Sequence, residues 1–197
     1  MRTPRPRLAL AAAVSVLALA GAACSGDDEE ASPVQAEDLN TPSGPACGVL
    51  PPEGPGSFVA MSELPAASAA ATSQVLTTLA TAVGDAELGE TLDGDGPFTV
   101  FAPANAAFGE IPADQLEALL ADREQLTSVL TYHVVEGDMT EQDLVDAGTV
   151  ETIEGGELTI EGDADEFTVN GAQMLCGGIE VANGTVYVIG EVLTPGS

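Results

Sequence analysis

The sequence contains very few basic residues. Lys and Arg together number 4, against 32 Asp and Glu residues in a chain of 197. Arg2, Arg5 and Arg7 lie at the N-terminus, so the chain from Cys24 onward has one basic residue, Arg123, which against 32 acids gives a formal net charge of −31. Such a surface repels nucleic-acid phosphates and anionic membrane faces, which excludes nucleic-acid binding. The acidity is typical of a protein kept soluble in the cell envelope.

Histidine and aromatic residues are almost as scarce. His133 is the single imidazole, Trp is absent, and aromatic residues make up 4% of the chain. Nucleophilic hydrolysis needs a base beside its nucleophile, and Ser128, five residues before His133, points to another side of a helix. No pair of carboxylates is singled out for glycoside hydrolysis, and the aromatic residues are too few for a sugar-stacking cleft. We therefore predict no enzymatic activity and no cofactor.

The many carboxylates raise the separate question of a metal site. Residues 93–96 (Asp-Gly-Asp-Gly) begin like a calcium loop, but Ala104 stands where a bidentate Glu is required and Pro103 interrupts the run. Residues 163–166 fit either a weak Ca²⁺ site or a solvated hairpin tip, and we adopt the hairpin tip. Zinc and copper lack ligands, because the chain has one His and no free thiol is expected. We predict no metal site.

The N-terminus has the features of an export signal. Residues 1–23 combine a basic start, an apolar run over residues 8–20 and three small residues before Cys24. This boundary resembles a bacterial lipoprotein processing site, at which Cys24 would become the acylated first residue. Gly21 departs from that pattern, which favours Leu there, and ordinary secretory cleavage is the alternative. We expect a lipid anchor at Cys24.

Two cysteines remain in the exported chain. Cys47 and Cys176 are destined for an oxidising compartment, which predicts a disulfide between them. Two separately buried thiols are the alternative. Residues 24–55 are rich in Asp, Glu, Pro, Gly and Ser and have few large apolar side chains, so we predict a flexible tether. The remaining residues 56–197 fit one domain.

Helical periodicity dominates the first part of this domain. Apolar residues recur at helical spacing in residues 73–83, where Gly84 is expected to end the helix. The same spacing in residues 126–133 places His133 on a buried stripe. A core histidine, hydrogen-bonded to its surroundings, is therefore the expected role.

Capping signals and a change of period complete the fold prediction. Asn105 is expected to cap a short helix over residues 106–110, and Thr140 with Asp143 indicates a near capping box. Beyond Gly148 the pattern alternates with period two, as in short antiparallel strands. We therefore predict an α+β fold, with N-terminal helices packed on an antiparallel β-sheet folded into a wedge or small sandwich.

Three ordered blocks of this sequence resemble the fasciclin domain. Residues 99–108 (TVFAPANAAF) are similar to its leading motif, residues 130–133 (LTYH) to its Tyr-His pair, and residues 183–195 (NGTVYVIGEVLTP) to its closing strand. The resemblance extends over about residues 58–195. The matching positions are Thr99, Phe101, Pro103, Asn105, Phe108, Tyr132, His133, Asn183, Val186 and Tyr187.

The resemblance implies a binding module. Fasciclin domains are known mainly for adhesion and extracellular matrix contacts, and the Tyr132-His133 pair is implied to support the fold or adhesion. The chain also resembles the secreted or lipid-anchored fasciclin proteins of mycobacteria, which carry cysteines at corresponding places. Residues 183–185 fit a glycosylation sequon, but Asn-Gly between Val181 and Val186 indicates a hairpin turn.

These expectations combine into one predicted function. The protein is interpreted as a lipoprotein on the extracytoplasmic face of the cell membrane, or as a secreted protein, that binds a protein or matrix partner. Its contact with the membrane is expected to pass through the lipid alone, and a monomer is compatible with the sequence. The alternative function is the carriage of a small apolar ligand in a groove between the helices and the sheet.

Overall fold

The computed structural model describes residues 42–196. The predicted signal peptide, the predicted acylation site Cys24 and residues 24–41 of the predicted tether lie outside the described residues. None of the helices in the described part is long and apolar enough to cross a membrane.

The described chain alternates short helices with one sheet. A 3-10 helix at Cys47–Val49 precedes the first α-helix. The α-helices are α1 (Phe58–Ser62), α2 (Ala66–Thr72), α3 (Thr77–Asp85), α4 (Gly89–Leu92), α5 (Asn105–Gly109), α6 (Ala113–Ala121), α7 (Arg123–Tyr132) and α8 (Glu141–Ala147). The strands are β1 (Phe98–Pro103), β2 (Val134–Glu136), β3 (Thr149–Glu151), β4 (Glu157–Asp163), β5 (Glu166–Val169), β6 (Ala172–Val181) and β7 (Gly184–Ile189). The α+β class is confirmed.

Helix α8 shows how local sequence sets an element's ends. The hydroxyl of Thr140 accepts from the backbone N–H of Asp143, while the Asp143 side chain accepts from the Thr140 N–H, which is the predicted capping box. Two hydrogen bonds from Thr140 lower the pKa of the Asp143 carboxyl. The bond from the Thr140 side chain has the larger effect, and the bond from its backbone N–H adds to it. The helix ends where Gly148 takes the left-handed conformation at φ 65°.

The sheet is mixed, which corrects the prediction of a purely antiparallel one. Its strand order is β2-β1-β7-β6-β5-β4-β3. Strands β1 and β7 run parallel, from Phe98 opposite Gly184 to Pro103 opposite Ile189, and the other ladders are antiparallel. A parallel pair needs a long crossover, which here is most of the domain, and the local alternation pattern does not carry that information.

The sheet curls until its two outer strands meet. Val135, in β2, forms an antiparallel bridge with Thr152, next to β3, and the backbone N–H of Ile153 donates to the carbonyl of Val134 at 2.8 Å. The sheet is therefore nearly barrel-shaped. This curvature separates an inner surface from an outer one.

Two apolar clusters fill these two sides. The cluster between the helices and the sheet includes Leu76, Leu79, Leu126, Leu130, Ile179 and Val186. The cluster inside the curled sheet includes Phe101, Leu158, Phe167, Met174 and Tyr187. Burial of these side chains supplies most of the driving force for folding.

The Asn-Gly hairpin is present one residue earlier than expected. Val181 pairs with Gly184, so Ala182 and Asn183 form the two-residue loop between β6 and β7. Gly184 has φ 148°, and a side chain there would overlap the carbonyl oxygen of Phe98 in β1. Glycine is therefore required where the hairpin meets the parallel strand.

Residues 42–55, which composition assigns to the tether, lie against the domain. Ser43 and Gly177 exchange backbone hydrogen bonds of 3.1 and 2.7 Å, and Leu50 is buried in the core. Cys47 and Cys176 form the predicted disulfide, with Cα atoms 4.8 Å apart. The backbone pairing and the disulfide attach this segment to β6.

Helix α3 differs at both ends from its predicted bounds. It begins at Thr77 and continues through Gly84 to Asp85, and the left-handed Glu87 (φ 58°) follows it. Gly84 has open space around its α-carbon and was wrongly taken as the end of the helix. Residues 73–76, predicted as helical, instead form a turn that leads into the helix.

Candidate functional site

The motif residues of β1 and β7 fix a loop that follows β2. The hydroxyl of Thr99 donates to the carbonyl of Gly137 (2.7 Å) and accepts from the backbone N–H of Met139 (3.0 Å). The hydroxyl of Thr185 donates to the Asp138 carboxylate at 2.6 Å, and that of Tyr187 donates to the carbonyl of Met139 at 2.8 Å. The side chains of these three strand residues therefore hold the successive loop residues 137–139 by hydrogen bonds.

Tyr187 is also the centre of an aromatic cluster. Its ring centroid lies 5.8 Å from those of Phe101 and Phe167. Burial raises the pKa of its phenol, and the negative charges of Glu141, Asp138 and Asp143 add to the effect. The phenol therefore stays protonated and acts as a hydrogen-bond donor inside the sheet.

His133 follows α7 and is buried as predicted, with both ring nitrogens engaged. Nδ1 donates to the Val129 carbonyl at 2.7 Å, and Nε2 accepts from the backbone N–H of Leu193 at 3.0 Å. Because a carbonyl only accepts and an N–H only donates, these bonds assign the neutral Nδ1-protonated form. Burial lowers the pKa of His133 to about 4, against the opposing effect of the bond to Val129. The imidazole ties the C-terminal segment to α7.

Ser128 and Tyr132, which lie in α7 and precede His133, have hydrogen-bond partners of their own. The hydroxyl of Ser128 donates to the Glu154 carboxylate at 3.2 Å. The hydroxyl of Tyr132 donates to the carbonyl of Glu157 at 2.9 Å and accepts from the side chain of Asn170. These bonds connect α7 to the β3–β4 side of the sheet, and they do not join Ser128 to the imidazole.

Asn183 joins three parts of the fold from its place in the hairpin loop. Its amide oxygen accepts from the backbone N–H of Ala66 at the start of α2 (2.9 Å). Its amide nitrogen donates to the carbonyls of Leu92 and Gly94, at 2.8 and 3.0 Å. The side chain that would carry a glycan thus has all of these hydrogen bonds within the protein, which supports the structural role of the Asn-Gly segment.

Asn105 is the motif residue whose role was predicted incorrectly. It is the first residue of α5, where Ala104 is the cap without a side-chain bond. Its amide oxygen accepts from the backbone N–H of Thr78, and its nitrogen donates to the carbonyl of Gln74 at 2.9 Å. Asn105 therefore satisfies a free donor in the first turn of α3, a distant helix, which local sequence does not indicate.

The remaining motif residues are core positions. Phe108 is buried between helices and sheet, Val186 lies in the same cluster, and Pro103 ends β1 as the chain turns into α5. All of the motif side chains thus belong to the scaffold.

Carboxylates in the described part do not gather into a metal-binding group. Within residues 42–196, no group of three or more His, Cys, Asp or Glu side chains could hold a metal ion. Residues 163–166 form the tip of the β4–β5 hairpin, where the Asp163 carboxylate accepts from the backbone N–H groups of Asp165 and Glu166. The carboxylate thus has a local structural role.

A large surface concavity of the described residues lies between α6, α7 and the C-terminal segment. We call it the α6–α7 groove; it is open to solvent, and its volume is about 910 Å³. It is lined by Glu110, Ile111, Pro112, Gln115, Ala118, Leu119, Glu124, Gln125, Ser128, Val129, Val192, Thr194 and Pro195. Sequence analysis missed it because it is formed by residues from three separate parts of the chain.

A second, smaller pocket lies beside the disulfide, between helices and sheet. We call it the N-terminal pocket; its volume is about 280 Å³. Its walls are mainly apolar and include Val49, Leu50, Val75, Leu175 and Val188. Val49 is 63% exposed, so an apolar side chain stands at the mouth of this pocket.

Comparison with known proteins places these features in a wider context. The family model of the Fasciclin domain matches residues 74–195. The cell surface glycolipoprotein MPB83 of Mycobacterium bovis is 43% identical over 149 residues, which are 73% of this chain and 66% of that protein. The chain thus spans just under two thirds of the length of MPB83.

Two further comparisons concern a second relative, which covers more of the chain, and a solved structure with a similar fold. The immunogenic protein MPB70 of Mycobacterium bovis is 40% identical over 168 residues, covering 83% of this chain and 86% of that protein. A solved FAS1 domain pair from the insect cell adhesion molecule fasciclin I superposes with a TM-score of 0.58 over 68% of this chain and 52% of that one. At 15% identity, this second likeness shows a shared fold.

Proposed function

Because this chain belongs to the fasciclin domain family, we propose that it is a non-catalytic binding module displayed outside the cell, where it contacts a protein or an extracellular matrix component. The observation that carries this proposal is the match of the family model to residues 74–195. Relatives that cover most of the chain support it, since one of them is named as a cell surface glycolipoprotein. Adhesion is the corresponding cellular role.

The state of the polar core supports a non-catalytic role. His133 uses both ring nitrogens to hold backbone groups, and its pKa of about 4 leaves it neutral near pH 7. The Tyr187 phenol donates to a backbone carbonyl, and its pKa is raised. Groups that would serve as acid or base in an enzyme are therefore used here to fix the fold.

The negative charge of the chain favours partners that have a basic surface. From Cys24 onward, Arg123 is the one basic residue, and it forms an ion pair of 2.8 Å with Glu87. A surface dominated by carboxylates accelerates encounter with basic proteins and repels nucleic acids and anionic lipids. We therefore assign a protein or matrix partner with a basic contact region.

We further propose that Cys24 carries the lipid that keeps the protein at the membrane. Radioactive fatty acid supplied to a mycobacterial host expressing the full chain is expected to label the wild type and not Cys24→Ala. The Cys47→Ala/Cys176→Ala variant is the control, since it loses two other cysteines and retains Cys24. Labelling of Cys24→Ala would contradict the anchor and leave secretion as the route to the cell exterior.

The binding function is tested by capture with the folded mature chain. Beads carry the chain through its N-terminus and are incubated with envelope and extracellular matrix fractions. We expect a protein that is retained in a saturable manner, is displaced by the free chain, and is absent from beads carrying the reduced, alkylated and unfolded chain. Equal retention by folded and unfolded beads would contradict a specific binding function.

The N-terminal pocket supports carriage of a small apolar ligand as a second candidate function. Its volume of about 280 Å³ is just below the usual range of ligand sites, which suits a short alkyl chain or a small ring. Native mass spectrometry of the same preparation distinguishes the two functions. A stoichiometric small molecule on the chain, with no saturable protein on the beads, would favour carriage; an unliganded mass would count against it.

A further inference from the structure

We propose that the α6–α7 groove is the partner site and that it takes a cationic amphipathic helix, whose apolar face lies in the groove and whose Lys or Arg side chains meet its acidic edge. This proposal rests on the binding function proposed above and names the surface and the chemistry of the partner. It is argued from the groove's apolar lining, its charge and the elements that build it.

The apolar lining arises because α6 is incompletely covered by the rest of the protein. None of the nine residues of α6 is fully buried, and its leucines Leu116, Leu119 and Leu120 are partly exposed. A surface helix of a globular protein normally buries its apolar stripe against the core. Leu119 instead shares an open concavity with Ile111 and Val129. An apolar face of this kind is typical of an interaction surface.

The opposite wall of the groove is held in place by a buried hydrogen bond. Val192, Thr194 and Pro195 line the groove, while Leu193 between them is buried and donates its N–H to Nε2 of His133. The wall therefore has a fixed position relative to α7. A groove that is already formed binds a partner at a smaller entropic cost than one that must be ordered first.

The edge of the groove carries negative charge. Glu110 and Glu124 are exposed and contribute to its lining. Arg123, beside Glu124 in sequence, forms its ion pair with Glu87 and is not part of the lining. The lining residues include no basic side chain, so the groove complements a positively charged partner.

The elements around the groove indicate a helix as the bound conformation. Added strands need an exposed sheet edge, whereas this groove is built by two helices and an irregular C-terminal segment. Apolar residues on one face of a bound helix would contact the lining, and basic residues beside that face would reach Glu110 and Glu124. Anionic lipid is disfavoured by the same carboxylates.

Fluorescence anisotropy with the mature chain tests the proposal. The probe is a labelled helix of Leu and Lys, about five turns long, with all leucines on one face. A second peptide has the same composition with the leucines scattered around the helix, and a third has Glu in place of Lys. We expect the first peptide to bind about tenfold more tightly than the second, and the third not to bind. Equal affinities of the first and second peptides would show that binding is non-specific attraction between opposite charges, and would overturn the proposal.

Variants of α6 locate the site. Ala118→Tyr fills the groove at an exposed position, and Ala121→Tyr places the same side chain on the same helix at an exposed residue outside the lining. We expect Ala118→Tyr to weaken binding of the first peptide about tenfold and Ala121→Tyr to leave it within about twofold. Thermal melting of both variants verifies that the fold is kept. Equal affinity of the two variants would overturn the proposal.

Charge neutralisation supplies an independent readout. Glu110→Gln/Glu124→Gln is expected to weaken binding and to reduce its dependence on salt, because two of the attracting charges are removed. Glu157→Gln/Glu161→Gln, on exposed positions of β4, makes the same change of net charge away from the groove and is expected to have little effect. Equal effects of the two double variants would contradict a local acidic edge.

The capture experiment separates failure of this site from failure of the function. If Ala118→Tyr beads retain the protein partner as well as wild-type beads do, the binding function stands and the groove assignment is wrong. If wild-type beads retain no specific partner while the peptide distinguishes Ala118→Tyr from Ala121→Tyr, the groove is a peptide site and the proposed function fails.

Discussion

Loss of the Cys47–Cys176 disulfide is expected to lower the free energy of unfolding by about 4 to 5 kcal/mol. The bond joins residues 129 positions apart, so its reduction releases a large loop and increases the entropy of the unfolded chain. It also frees the segment whose Ser43 and Ala46 pair with β6 and whose Leu50 is buried. We therefore expect one of the largest single effects available in this domain.

Urea unfolding with and without a phosphine reductant measures this effect. The Cys47→Ala/Cys176→Ala variant is the matched control, because it lacks the bond and should respond to urea alike in both buffers. We expect the reduced wild type and the variant to share a lowered midpoint. Superimposable curves for the oxidised and reduced wild type would show that the disulfide does not contribute to stability.

Acidification is expected to destabilise the domain through His133. Its pKa is about 4 in the folded protein and 6.5 when unperturbed, so between these values the unfolded chain binds the extra proton. The contribution of His133 to the free energy of unfolding is complete above pH 6.5 and is lost as pH falls toward 4. The difference between the two pKa values corresponds to a contribution of about 3 kcal/mol. Protonation of Nε2 also removes the acceptor for the Leu193 N–H.

A comparison with His133→Ala isolates this contribution from the titration of the carboxylates. At pH 7 the variant is expected to be about 3 kcal/mol less stable, because it lacks the buried ring and leaves two backbone groups without their partner. Its deficit relative to the wild type should shrink as pH falls from 6.5 to 4. A deficit that is constant over this range would contradict the neutral, buried state of the imidazole.

The parts of the fold that sequence predicts are those set by local pattern. The capping box at Thr140 and Asp143, the hairpin near Asn183 and the buried stripe ending at His133 are each encoded within a few residues. The α+β class follows from the order of helical and alternating segments. The three motif blocks add the family, which the comparisons confirm.

The features that sequence did not predict depend on distant residues. Asn105 bonds the start of α3, and β1 lies parallel to β7; both are set by packing between segments far apart in the chain. The α6–α7 groove has the same origin, because Leu119, Val129 and Val192 line it together only in the folded chain. Periodicity identifies the apolar face of a helix. It does not show whether that face is fully covered by other parts of the folded protein or is left partly exposed, as in α6.

The disulfide also determines where a mechanical load passes through the molecule. A pull on the residues before Cys47 reaches Cys176 through a covalent bond and is delivered to β6, an interior strand between β7 and β5. Between residues 42 and 196, only about 25 residues lie outside the bridged loop, so the stretched contour is limited to about 90 Å. The loop contains α6 and α7, and the chain that forms most of the groove is therefore shielded from extension by a load applied between the two ends of the described chain.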